Sequence, residues 1–299
     1  LDKVVANGKQ AKGVIFTENG KQMASLSLAN AGVGQTPFPY ILMYQQYKNE
    51  RVLLDYLTQH TCPVYWATSL ITLTQNTGYS EVLLKNAEGE YTLKCDWVIG
   101  ADGAHSAVRK QLGIPFNGDT YPHYFYLADL EIAAPFLEGD FVQLYLAKNG
   151  ICGFFPMPEK NRYRIIGSLP EEFENNTDTK LEDILPEIDR VVGYPLKIIA
   201  NEWFTTYKLH HRMAENFRRQ NCFLIGDAAH IHSPVGAQGM NTGLQDGYNL
   251  AWKLAGVING NLHETILNSY ADERMPIARE LLNTTDRVFN VVMSGNWLI

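Results

Sequence analysis

Basic residues are in short supply in this 299-residue chain. Twenty-five Lys and Arg stand against 32 Asp and Glu, for a formal net charge of -7, and no basic run of useful length occurs. Nucleic acid and anionic membrane surfaces select clustered cations, so neither is expected as a partner. Cysteine is also scarce. Cys62, Cys95, Cys152 and Cys222 are far apart and form no C-x-x-C pair, which reads as scattered thiols in a reducing compartment and not as a disulfide framework. No apolar stretch approaches the length of a membrane span, and nothing at the start has the plan of a signal peptide. His230 and His232, near Asp227, give two metal ligands at best, and no further His or Cys cluster completes a set, so no metal is expected. With 45% hydrophobic and 19% charged residues, the chain reads as a globular protein of the cytoplasm.

An initiator Met is missing too. "LDKVVANGKQAKGVIF" enters directly on strand-like, turn-punctuated sequence, as a chain joined partway through a domain would. Residues 1–40 read as short strands with hairpin signals at "VVANGK" and "TENGK". "YILMYQQYKNERVLLDYLTQH" carries Val52, Leu53, Tyr56 and Leu57 on a helical period. Residues 64–99 return to strands, and "SAVRKQLG" reads as a short helix with Ser106 as N-cap and Gly113 as stop. From about 115 to 205 the chain is aromatic-rich and strand-like, interrupted by the acidic helical segment "KLEDILPEIDRVVG". "CFLIGDAAH" is then a buried strand, followed by a glycine-bearing helix to about Val257 and a second helix from near His263. The order is α/β, a β-rich insert, then α/β again, so one discontinuous domain encloses another. The expected stretches are 1–114, with some strands shared with the sheet of the insert, 115–205 for the insert itself, and 206–299 for the rest of the enclosing domain and its closing helices.

Two stretches carry chemistry. In "CDWVIGADGAHSAVRKQLGI" a hydrophobic strand ends in Gly100, then Asp102-Gly103, then a helix start. Exposed helix amides suit phosphate oxygens, and Asp102 could accept from a ribose hydroxyl or hold a neighbouring donor. The alternative is an ordinary strand-turn-helix connection with Asp-Gly as turn chemistry. In "LIGDAAHIHSPVGAQGMNTGLQDG" a second strand ends in Gly-Asp, placing Asp227 at a sheet edge where polyol hydroxyls can be gripped. Amides of "QGMN" open the following helix and would stabilise negative charge on a flat electron-accepting ring. Gly239, Gly243 and Gly247 recur at four-residue spacing, each costing about 1 kcal/mol of helix propensity. Either a ligand or a neighbouring element approaches the backbone there, and close packing is the reading for Gly247.

With both motifs in this order around a β-rich insert, the chain resembles the FAD-dependent aromatic hydroxylases, single-component flavoprotein monooxygenases of the para-hydroxybenzoate and phenol hydroxylase type. The resemblance covers nearly the whole chain. It implies a Rossmann-like FAD-binding domain with an inserted β-sheet substrate domain. "GADGAHSAVR" is similar to that family's Asp-Gly motif, which implies Asp102 and Gly103 near the FAD pyrophosphate and in pyridine nucleotide use. "GDAAHIHSPVGAQGMN" is similar to its Gly-Asp motif, implying Asp227 on the ribitol and Pro234, Gly236, Gln238, Gly239, Met240 and Asn241 along the isoalloxazine. Gln46 of "QYKNERVLL" fits a weaker Gln-x3-Glu-x2-Leu pattern and would touch the cofactor. The family's opening G-x-G-x-x-G turn is absent; "AGVGQTPF" has Pro37 in place of the third glycine and leads into no helix. The expectation is that the segment carrying it precedes this chain, with a C-terminal extension also possible in the family.

The resemblance implies an FAD- and NAD(P)H-dependent monooxygenase that hydroxylates an aromatic or polyketide-like substrate with O2 through a flavin C4a-hydroperoxide. Phe154, Phe155, Met157, Tyr124 and Tyr126 supply material for an apolar pocket. No catalytic base is singled out among His123, a Tyr or a water chain, and His232 reads as structural. A homodimer is compatible with the sequence. The alternatives are a related flavoenzyme that inactivates an antibiotic or epoxidises its substrate, and a flavin-free binding module.

Overall fold

A computed structural model describes residues 2–28, 32–134, 136–137, 139–148, 150–173, 178–234 and 238–294, the side chains of 291–294 excepted. Two compact units share the chain: residues 1–63 pack with 122–208, and residues 64–121 with 209–292. Among the described residues no helix is long and apolar enough to cross a membrane, and all four cysteines are free.

The first unit is built on a sheet whose order runs Lys21–Ser27, Gly13–Glu18, Phe141–Ala147, Gly150–Pro156, Arg162–Ser168 and then residues 122–133 and 197–208 of the longer strands Phe116–Ala133 and Lys197–Ala214. Alternation drives it: in "GVIFTE" every second residue is buried. Asn19 and Gly20, both at positive φ (49° and 74°), close the first hairpin with Glu18 opposite Lys21, as the Asn-Gly signal predicts. The helix Leu181–Val192 lays Leu181, Ile184, Ile188 and Val191 in one core with Leu130, Ile132, Cys152, Phe154 and Ile165. Gly193 ends that helix at φ 82°, where a side chain would be strained.

Two expectations change here. "VVANGK" forms no hairpin: Asp2–Asn7 is a short helix, and Asn7 donates its side-chain amide back to the Lys3 carbonyl. Asn-Gly serves a helix end as readily as a two-residue turn. Residues 1–63 also join the β-rich stretch instead of residues 64–114, because Gly13–Glu18 pairs in parallel with Phe141–Ala147 in that sheet. The sequence reading anticipated strands shared with the substrate sheet but not this extent.

The second unit holds a three-stranded antiparallel meander (Ser69–Asn76, Tyr79–Asn86, Gly89–Cys95) and a small sheet in which Val98–Gly100 runs parallel to Cys222–Leu224. Its core gathers Val108, Leu112, Phe217, Phe223, Leu224, Leu250, Leu254, Leu267 and Tyr270. The helix Gly239–Ile258 turns Thr242, Asp246, Leu250, Lys253 and Leu254 inward, and the helix Ser269–Ser294 follows a 3-10 turn at Glu264–Asn268.

Candidate functional site

The Asp-Gly and Gly-Asp stretches lie side by side. Gly100 is paired with Leu224 across adjacent parallel strands, and the Ile225 amide donates to the Gly100 carbonyl at 3.0 Å. Both strands therefore end at the same edge, the position at which open parallel sheets hold ligands.

At the first end, Asp102 faces the start of its own helix. Its Oδ1 accepts from the Ser106 hydroxyl at 2.5 Å and its Oδ2 from the Val108 amide at 3.0 Å. Ser106 in turn accepts from the Arg109 amide at 2.9 Å, which makes it the N-cap of Ala107–Gln111 as its sequence position predicts. Gly103 and Gly113 both sit at positive φ, 77° and 65°. Of the two uses open to Asp102, the geometry displays the holding of neighbouring donors.

The second end is more open. Asp227 is exposed and its carboxylate makes no hydrogen bond among the described residues. Partial desolvation raises its pKa, with His230 and His232 acting in the opposite direction. Gln238, Met240 and Asn241 at the helix start are exposed, as is Pro234, while Gly239 is half-buried. Gly236 lies outside the described residues. His232 is tied through Nδ1 to the Ser233 carbonyl at 2.7 Å, and its buried Nε2 has no hydrogen-bond partner among the described residues. A Cβ on Gly239 would stand 3.6 Å from that Nε2. Burial lowers the His232 pKa, favouring the neutral ring.

The three spaced glycines separate by function. A Cβ on Gly243 would come within 3.2 Å of the Gly226 Cα, so the helix rests directly on the Gly-Asp turn there. Gly226 is itself at φ 55°. At Gly247 the nearest atom is the Ile225 Cδ1 at 3.8 Å, an ordinary packing distance.

Beneath this surface lies a buried polar network that motif reading missed. Asp246, fully buried, accepts from the Gly226 amide at 3.1 Å, faces His230 Nε2 at 2.7 Å and accepts from Arg274 Nε at 2.7 Å. Burial alone would raise its pKa; the bonds from His230 and Arg274 outweigh that and hold it below the usual carboxylate range. Tyr270 donates to the Leu224 carbonyl at 2.7 Å, and Arg109 donates to Ala104 and Ala228. The available signal was positional: Asp246 falls on the same helical stripe as Thr242, Leu250 and Leu254.

Asp102, Gly103, Asp227, Pro234, Gln238, Gly239, Met240 and Asn241 all belong to the second unit. Gln46 belongs to the first, where it is exposed at the start of the helix Gln46–Gln59 and donates to Glu50 at 2.8 Å. The site's residues fit FAD on their own chemistry: an exposed carboxylate for hydroxyls, an exposed helix start and, beside a glycine, a buried ring nitrogen that has no partner among the described residues.

A family profile described as "FAD binding domain" matches residues 1–285. The chain is 31% identical over 284 residues to 6-methylpretetramide 4-monooxygenase of Streptomyces rimosus, covering 95% of this chain and 50% of that protein. It is 31% identical over 294 residues to pentachlorophenol 4-monooxygenase of Sphingobium chlorophenolicum, covering 97% and 54%. Among solved structures, the anhydrotetracycline hydroxylase of Streptomyces rimosus superposes with a TM-score of 0.81 at 26% identity, covering 99% of this chain and 58% of that one. The chain thus spans about half the length of the curated relatives it matches. By profile, sequence and fold, it belongs to the FAD-binding family of the flavin-dependent aromatic hydroxylases.

Proposed function

We propose that the protein is a monooxygenase that uses FAD, NAD(P)H and O2 to hydroxylate an aromatic, polyketide-like substrate in the cytoplasm. The observation that carries this reading is the pairing of an Asp-Gly turn and a Gly-Asp turn at the ends of adjacent parallel strands, the second with an exposed carboxylate. The names of the relatives, which act on a pretetramide and a chlorinated phenol, support the substrate class.

Bound FAD supplies the redox and oxygenating chemistry. The chain's part is to bind and orient. Asp227 accepts hydrogen bonds from ribityl hydroxyls. The helix start at Gln238, Gly239, Met240 and Asn241, with Pro234 and Gly236 preceding it in the sequence, offers amides and a positive dipole end to the electron-accepting ring. Asp102 and Gly103 hold the neighbouring turn in shape near the pyrophosphate, and Gln46 is a further contact. The β-rich unit supplies the substrate side, with no general base assigned.

The test is the visible spectrum of the purified full-length protein after incubation with FAD and desalting. Retained flavin absorption is expected, and Asp227→Ala should weaken FAD about ten- to a hundredfold, the worth of a hydrogen bond to a charged group. A protein that keeps no flavin overturns the reading and favours the binding module. If flavin is kept, NAD(P)H oxidation with phenolic substrates and mass analysis of the product separate hydroxylation from epoxidation.

A further inference from the structure

Within the first unit, the residue just before the helix Gln46–Gln59 holds a polar arrangement that the family motif does not account for. Gln45 is only 6% exposed. Its Nε2 donates to Glu159 Oε2 at 2.7 Å, while Lys48 Nζ donates to Glu159 Oε1 at 2.6 Å. The Gln45 Oε1 is buried and has no hydrogen-bond partner among the described residues. The amide orientation follows from chemistry: an ionised carboxylate only accepts, so Gln45 must present its NH2 to Glu159 and turn its oxygen elsewhere. Partial burial pushes the Glu159 carboxyl up, and the bonds from Lys48 and Gln45 outweigh it, so the group stays ionised. Leaving a buried carbonyl oxygen unpaired is costly, and no side chain caps this helix start.

We propose that Gln45 is a ligand-binding residue whose buried Oε1 accepts a hydrogen bond from a hydroxyl or ring N–H of a small molecule bound at the start of the Gln46–Gln59 helix. Glu159 and Lys48 are positioning residues that fix the direction of that oxygen. The inference rests on the flavoenzyme reading, in which the two donors of this chemistry are FAD, through its ribityl hydroxyls and ring N–H, and a phenolic substrate.

The experiment compares wild-type full-length protein with Gln45→Met, which keeps the shape and removes the acceptor, and with Gln45→Asn, which keeps the amide and withdraws it. FAD affinity is read by quenching of flavin fluorescence, and binding of phenol and of 1-naphthol by perturbation of the flavin absorption bands. Loss of about fivefold or more in FAD affinity in both variants, with thermal midpoints unchanged, identifies the cofactor as donor. The same loss confined to phenol and 1-naphthol identifies the substrate. Affinities all within about twofold of wild type overturn the inference while leaving the flavoenzyme reading intact. Wild-type protein that binds no FAD overturns both. Should Gln45→Met fail to fold, Gln45→Asn alone decides by the same criteria.

Discussion

Arg109 binds the Ala228 carbonyl through Nη1 at 2.8 Å, joining the helix that follows the Asp-Gly turn to the backbone of the Gly-Asp turn. Its Nη2 simultaneously holds the Ala104 carbonyl at 2.8 Å, and the guanidinium lies 3.7 Å above the Phe116 ring. Desolvation lowers the Arg109 pKa, yet it remains far from losing its proton. Arg109→Met should cost about 3 kcal/mol in urea unfolding, because the buried Ala228 carbonyl and the half-buried Ala104 carbonyl lose a charged donor. Arg109→Lys, a point charge without the fork, should recover only part of that. Equal stability of the Met variant and wild type would refute the bridging role.

Asp246 anchors a second prediction. Asp246→Asn leaves the Arg274 charge buried without its partner and should destabilise the fold by about 3–5 kcal/mol. The same group governs acid sensitivity. Its folded pKa lies below the unfolded one, so its contribution is complete above the unfolded pKa and is lost as pH falls through the folded pKa. Glu273, lowered to about 2 by Asn249, Lys253 and Ser269, adds to the same acid limb. Urea midpoints followed downward from neutral pH should fall less steeply for Asp246→Asn than for wild type. Parallel curves would show that Asp246 does not set this limb.

The spaced glycines allow a paired test. Gly247→Ala adds a methyl at ordinary contact distance and gains helix propensity, so it should stabilise the protein by up to about 1 kcal/mol. Gly243→Ala presses its methyl on the Gly226 backbone, which has no flexible side chain to move aside, and should destabilise it. Thermal midpoints measured side by side check the opposite signs. A stabilising Gly243→Ala would mean that the contact relaxes.

Local features were legible because their causes are local. The Ser106 cap, the Gly113 stop, the Asn19-Gly20 hairpin and the acidic helix Leu181–Val192 each follow from residues within one or two turns. Gly243 was legible as a site of close approach, though not as one filled by Gly226. What escaped depends on residues far apart in the chain. The parallel register of Gly13–Glu18 with Phe141–Ala147 has no signal in either segment, and the stretch around Asn7-Gly8 carries a signal shared by hairpins and helix ends. Asp246 escaped because a polar residue in "LQDGYN" looks solvated until its stripe is traced. Arg274, its partner, is 28 residues further on.

The interleaving of the two units has a consequence for how the chain emerges from the ribosome. Gly13–Glu18 waits for Phe141–Ala147 before it has its parallel neighbour, and Val98–Gly100 waits for Cys222–Leu224. Neither unit can close on what has been synthesised at its own start, and each exposes strand edges while segments of the other are being made. Such non-local pairing slows folding and leaves nascent edges open to the wrong partner. The sheet that brings the Asp-Gly and Gly-Asp turns together thus closes only once Cys222–Leu224 has been made, and holdase chaperones that shield the earlier strand should raise the yield of native protein.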